Sequence, residues 1–203
     1  MNSNLVLHLT QVKTAAYPFG GLTKVPETIT WRTGVNNNDI LIRLRYALDI
    51  KNTDMVEIFK LGGIPLTKEE VLKILQKPQE DESDSEDEGL IKCTYFMMES
   101  FLNGFILFNR GKPDIQEGQV ERPVIDSSNL ESVNNILLKK LKIALSLTSD
   151  DMLEVLALAG VTVSKGELSA IFRKVGQRNY KECGDKYVRN FLKGLAIKYR
   201  EVT

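Results

Sequence analysis

Residues 37–48, Asn37-Asn38-Asp39-Ile40-Leu41-Ile42-Arg43-Leu44-Arg45-Tyr46-Ala47-Leu48, return 97 positions later. The second copy reads Asn134-Asn135-Ile136-Leu137-Leu138-Lys139-Lys140-Leu141-Lys142-Ile143-Ala144-Leu145. The register runs without a gap from Asn37 to Lys77 against Asn134 to Lys174. It carries 15 identities in 41 positions, among them Asp54/Asp151, Met55/Met152, Glu57/Glu154, Gly63/Gly160 and Glu70/Glu167. Beyond Lys77 the offset drops to 90, so Cys93 pairs with Cys183, Phe101-Leu102 with Phe191-Leu192, Gly104 with Gly194 and Arg110 with Arg200. The first copy therefore holds seven extra residues, in the stretch where Glu80–Glu88 packs seven acidic residues into nine. A match this long with one clean insertion marks an internal duplication, and such a repeat governs the fold reading before any single element does.

Each copy reads as four helices. In the first, Ile40, Leu41, Leu44, Ala47 and Leu48 recur at helical spacing and line one face. A second helix runs from about Asp54 to Leu61, with Asp54/Glu57 and Asp151/Glu154 near N-termini that favour carboxylates, and with Gly62-Gly63 and Gly160 as C-terminal stops. The third opens with Thr67-Lys-Glu-Glu70 and Ser164-Lys-Gly-Glu167, both capping boxes. The fourth follows the cysteine, from about Thr94 to Asn109 and from Asp185 to Tyr199. No strand pattern appears in either copy. In the first copy this fourth helix is apolar almost all round and is expected to be central. It also carries Gly104, matched by Gly194, at a cost of about 1 kcal/mol against Ala. Close backbone approach explains the retention, and the expected partner is the other fourth helix, the two meeting near these glycines. The expected fold is thus all-α, two homologous four-helix repeats packed as a pseudo-twofold pair.

The expected domain limits are an N-terminal extension at 1–35, repeat 1 at 36–112 with its acidic insertion at 79–90, a Pro/Gly/Ser-containing linker at 113–133, and repeat 2 at 134–203. The extension has no repeat partner and holds both the single His (His8) and the single Trp (Trp31). The first ten residues lack the basic and apolar regions of a signal peptide, no stretch reaches the ~18–20 apolar residues of a membrane span, and two unclustered cysteines suit a reducing cytoplasm.

Asn-Asn-Asp-Ile-Leu…Leu-Arg-Tyr-Ala-Leu (37–48), Asp54-Met-Val-Glu-Ile-Phe-Lys-Leu61, Leu168-Ser-Ala-Ile-Phe-Arg-Lys174 and Cys183-Gly-Asp…Arg189-Asn-Phe-Leu-Lys-Gly-Leu195 together resemble the YehS-like family of bacterial proteins, which carry a duplicated domain of unknown function. The resemblance covers residues 36–112 and 134–200. It implies a small bacterial cytoplasmic protein and transfers no catalytic or binding residue. The acidic insertion at 80–88 and residues 1–35 depart from the family pattern. Members of the family begin just before Asn-Asn-Asp-Ile, where Val35 stands here, so the resemblance implies that residues 1–34 are an over-extended start; the alternative is a short arm packed on the helices, and the intact mass of the natively expressed protein separates the two.

Chemistry-bearing residues are few. One His and two Cys are too few for a zinc site or a disulfide framework. Cys93 and Cys183 sit at helix starts, where a thiol can be activated, yet neither repeat offers a His, and small half-buried side chains are the plainer reading. The paired carboxylates suit acid–base or metal chemistry on paper, but helix N-termini account for them. The second and third helices resemble a helix-turn-helix. Their apolar residues Leu168 and Ile171, however, come two positions late after Gly160, which favours a generic helical hairpin. Neither Gly20-Gly21 nor Gly62-Gly63 has the flanks of a phosphate loop. No catalytic, cofactor-binding or metal residue is therefore assigned.

Charge is uneven. The 27 basic and 27 acidic residues balance overall, which excludes a uniformly basic binder. Residues 37–133 hold 11 basic and 19 acidic side chains, whereas 134–203 hold 13 and 7. In the last helix Lys186, Arg189, Lys193 and Arg200 form a stripe, preceded by Arg173, Lys174, Arg178 and Lys181. These eight are the candidate contacts for nucleic acid or another partner; a solvated face, or a counterpart for the chain's own acidic stretch, are the plainer readings. The functional expectation is a non-enzymatic interaction module, with a protein partner or self-association. The alternative is a nucleic-acid-associated protein using the basic face of repeat 2. No cofactor and no membrane contact are expected.

Overall fold

A computed structural model describes residues 36–76, 89–111 and 132–200. The N-terminal extension with His8 and Trp31, the acidic stretch 80–88 and nearly all of the linker lie outside the described residues. Eight helices follow in order within them: α1 (Asn37–Ala47), α2 (Asn52–Leu61), α3 (Lys68–Ile74), α4 (Tyr95–Arg110), α5 (Val133–Ala144), α6 (Ser149–Leu158), α7 (Lys165–Ile171) and α8 (Asp185–Arg200). No strand occurs among the described residues, and α1–α4 correspond to α5–α8. The last linker residue, Val133, already belongs to α5.

The helix ends follow from local chemistry. Asn36 caps α1 by accepting the Asp39 amide at 2.7 Å. Both expected capping boxes are present, Thr67 with Glu70 and Ser164 with Glu167. A third forms at Thr148 and Asp151 ahead of α6. Its counterpart in α2 is missing because Lys51 replaces the threonine and offers no side-chain acceptor. The first helices end in Schellman turns, where Ile50 N–H reaches Arg45 O at 3.0 Å and Leu147 N–H reaches Lys142 O at 2.9 Å. The stripe Ile40, Leu41, Leu44 and Ala47 is fully buried, in one apolar core continuous across both repeats. Phe59, Phe101 and Phe191 are fully buried within it, each such side chain contributing about 1.5–3 kcal/mol. Phe101 meets Phe59 at 5.0 Å between ring centres and Phe105 at 6.1 Å.

The two glycines of the fourth helices serve a different contact from the one expected. A Cβ on Gly104 would fall 1.9 Å from the Ile58 carbonyl oxygen and 2.7 Å from the Gly62 nitrogen, both on α2 or its C-terminal cap. A Cβ on Gly194 would fall 1.8 Å from the Val155 carbonyl oxygen on α6. Each glycine thus lets the fourth helix press its backbone against the second helix of its own repeat. The fourth helices do not meet there.

The repeats are joined instead by a reciprocal exchange. Helix α4 packs on α2 and on α5, while α8 packs on α6 and on α1, so each first helix lies mainly on the fourth helix of the other repeat. Equivalent arginines mark both crossings. Arg110 donates to Ile143 O at 3.2 Å at the end of α5. Arg200 stacks on Tyr46, 4.4 Å from the ring centre at the end of α1, and pairs with Asp49. Position 46 corresponds to 143 and position 110 to 200, so the two crossings share one register. Helix α4 is central as expected, although Phe96 and Phe108 at its ends remain exposed.

Candidate functional site

The repeated asparagines hold each repeat closed. Asn38 Nδ2 donates to Ile74 O and Ile91 O, both at 2.8 Å, while its Oδ1 accepts the Cys93 amide at 2.9 Å. Asn135 does the same with Ile171 O at 2.7 Å, Lys181 O at 3.0 Å and the Cys183 amide at 2.8 Å. Asn37 and Asn134 add donors to the carbonyls of Cys93 and Cys183, each at 3.0 Å. One amide side chain therefore ties the end of the third helix and the start of the fourth to the first. It satisfies buried backbone groups that would each cost about 1–3 kcal/mol unpaired.

The cysteines sit in this latch. Both are buried and free. Burial pushes each thiol up to about 12, with Asp185 and Glu182 adding to the effect at Cys183. Such thiols stay protonated and lack the thiolate a nucleophile needs. The carboxylates are engaged too. Asp151 is held below its ordinary range by the hydroxyl and amide of Thr148. Glu154 pairs with Lys198 at 2.7 Å and Glu57 with Lys60 at 3.4 Å. Asp54 accepts from the Thr53 hydroxyl at 3.3 Å. Among the described residues no group of three or more His, Cys, Asp or Glu is placed to hold a metal ion.

The eight basic candidates separate into three groups. Arg173, Lys174, Arg178 and Lys181 lie on the loop between α7 and α8, where Arg173 donates to Arg178 O and its own carbonyl accepts from Lys139 at 3.1 Å. Arg200 is taken up by Tyr46 and Asp49 at the inter-repeat crossing. Lys186, Arg189 and Lys193 stand exposed on α8 and make no ion pair with any described residue.

Comparing the two crossings gives those last residues a setting. On α5, Lys140 Nζ donates to Glu99 Oε1 at 2.8 Å and Asn103 Oδ1 at 2.7 Å on α4. The ion pair is largely enclosed, with side-chain exposures of 18% and 7%. The equivalent positions at the α1/α8 crossing hold Arg43, Arg189 and Lys193. The alignment of the copies thus sets three basic residues where the other crossing has an enclosed ion pair and its asparagine. Arg43 turns back to Asp39 at 2.8 Å along its own helix.

The family model of DUF1456, described as a protein of unknown function, matches this chain twice, over residues 37–111 and 134–201. The chain belongs to this family. Its similarity to a curated relative, the "Uncharacterized protein YehS" of Escherichia coli (strain K12), is 40% identity over 162 residues, spanning 80% of this chain and 95% of that protein. No solved structure matches. The two DUF1456 segments coincide with the two four-helix sets, and the paired asparagines, the capping boxes and the glycine contacts described above lie within the matched residues.

Arg43 was absent from the sequence-derived candidates. Its signal was nonetheless present in the repeat alignment, which sets Glu99 against Arg189, Asn103 against Lys193 and Lys140 against Arg43. Reading that signal requires knowing that the first helix crosses the other repeat's fourth.

Proposed function

We propose that this DUF1456 chain is a non-enzymatic interaction module of the bacterial cytoplasm, acting through its helical surfaces. One observation carries the reading. Among the polar residues retained in both copies, Asn37/Asn134, Asn38/Asn135, Glu70/Glu167 and Cys93/Cys183 have structural tasks in the latch or the caps. What distinguishes the copies is charge at the surface, above all the exchange of an enclosed ion pair for an exposed cationic seam. A duplicated scaffold whose copies differ in this way suits selective binding of something charged. Among the described residues no helix is long and apolar enough to cross a membrane.

The test is affinity capture from a bacterial cytoplasmic fraction, with and without nuclease, using the full chain and its Arg189→Glu/Lys193→Glu variant. A protein or nucleic acid retained by the first and lost by the second supports the reading. Identical capture by both refutes it.

A further inference from the structure

We infer that the α1/α8 crossing binds the phosphodiester backbone of single-stranded nucleic acid, with Arg43, Arg189 and Lys193 as its phosphate contacts and Tyr46 as a stacking platform. The inference rests on the interaction-module reading and names its ligand. Three observations converge on it. First, the register is anchored at one end by Arg200 on Tyr46. The same register at the α4/α5 crossing places Lys140 directly against Glu99 and Asn103. Arg43 on α1 is therefore opposite Arg189 and Lys193 on α8. Second, Arg189 and Lys193 make no ion pair with any described residue. The Arg43–Asp39 pair is a surface contact at 50% and 30% exposure, worth only about 0.3–0.5 kcal/mol and readily exchanged for a phosphate. Third, Tyr46 lies one turn beyond Arg43 and is 57% exposed, although Arg200 stacks on it.

The dimensions suit a strand. Lys186, Arg189 and Lys193 run about 10 Å along α8, a linear cationic track of the kind that follows one nucleic-acid backbone. A cationic track beside an exposed aromatic ring is the recognition chemistry of single strands, where bases are free to stack. A vesicle surface or an acidic peptide would use the cations and leave the ring without a role. Asp39, paired with Arg43, and Asp49, paired with Arg200, flank the track.

The experiment is fluorescence anisotropy of the full chain with labelled 20-nucleotide RNA and DNA of one sequence, their duplexes, and anionic vesicles. The salt range is 50 to 200 mM. Three phosphate contacts on a single strand predict a log–log salt slope of about −2, hence an affinity loss of roughly 15-fold over that range. Arg189→Glu/Lys193→Glu is expected to lower single-strand affinity at least about tenfold and to flatten the slope towards about −0.7. Tyr46→Ala is expected to cost about tenfold on single strands and little on duplex. Lys174→Glu/Arg178→Glu on the loop is expected to bind like the parent, and thermal melts confirm that each variant folds. RNA and DNA arms show which sugar is preferred. Equal binding by the Arg189/Lys193 variant overturns the site. Preference for duplex or vesicles overturns the single-strand assignment. No oligonucleotide binding at 50 mM salt overturns the ligand altogether. The module reading is then judged separately by whether capture of a protein depends on the same two residues.

Discussion

Replacing Gly104 by alanine sets two physical effects of opposite sign against each other. Within a helix, Ala is favoured over Gly by about 1 kcal/mol, so propensity alone makes Gly104→Ala stabilising. The structure reverses that sign. The added Cβ would lie 1.9 Å from Ile58 O, 2.7 Å from Gly62 N and 2.9 Å from Ile58 C, all backbone atoms with no rotamer to move aside. Ordinary contact begins near 3.4 Å, so α2 and α4 must part by roughly 1.5 Å. A gap of even 0.5–1 Å forfeits about a quarter to a half of each contact's attraction, along a seam that includes Phe59, Phe101 and Phe105. Overpacking of this kind costs about 1–3 kcal/mol and occasionally more. With backbone as the obstacle, the expected net loss is about 3 kcal/mol, or roughly 6–12 °C in Tm for a chain of this size. Circular-dichroism melts measure it. Gly194→Ala is expected to shift the same way, since its Cβ would meet Val155 O at 1.8 Å. Gly166→Ala, whose nearest neighbour is the Ser164 hydroxyl at 3.9 Å, is expected to leave Tm unchanged or raised. A Gly104→Ala protein that melts at or above the parent refutes the close-approach account.

Asn135→Asp keeps the size and the acceptor of the latch but removes both donors to Ile171 O and Lys181 O. A loss of about 3 kcal/mol is expected in urea unfolding, and an unchanged midpoint would remove the latch from the account. Lys140→Met leaves Glu99 enclosed without its counter-charge; about 3–5 kcal/mol should be lost. Adding Glu99→Leu should restore most of it, and a double variant no better than the single would contradict the pairing. The buried thiols are expected to resist a thiol reagent in the native state from pH 7 to 9 and to react fully in denaturant. Their raised values also set a pH sign: stability from the protonated thiols is complete below the unfolded value near 8.5 and declines as pH rises through about 12. Melts that become more stable between pH 8.5 and 10 would oppose this.

The duplication made most of the fold legible. Two aligned copies exposed the buried stripe of α1 and the two capping boxes, because those signals depend only on residues three or four apart. The glycines were legible as places of close approach, but not their partner. A missing Cβ reports that something is near without reporting what, and only the packed structure shows that Ile58 and Val155 supply it. The asparagines prove to be latches, a role no local pattern carries, since their hydrogen bonds span 36 to 56 residues. The basic stripe was visible on one helix. That Arg43 belongs opposite it could not be read, because charge patterning along a helix carries no information about which helix crosses it. Arg200 shared the stripe's spacing yet joins the repeats, for the same reason.

The reciprocal exchange of first helices is the claim on which both the fold and the cationic seam depend. Cysteine pairs with a short bis-maleimide test it directly, because Cys93 and Cys183 are buried and contribute little background. Tyr46→Cys/Arg200→Cys and Arg110→Cys/Ile143→Cys are expected to cross-link within the chain. Tyr46→Cys/Arg110→Cys and Ile143→Cys/Arg200→Cys are expected to cross-link far more slowly. Faster linkage in the second set would place each first helix on its own repeat and contradict the account.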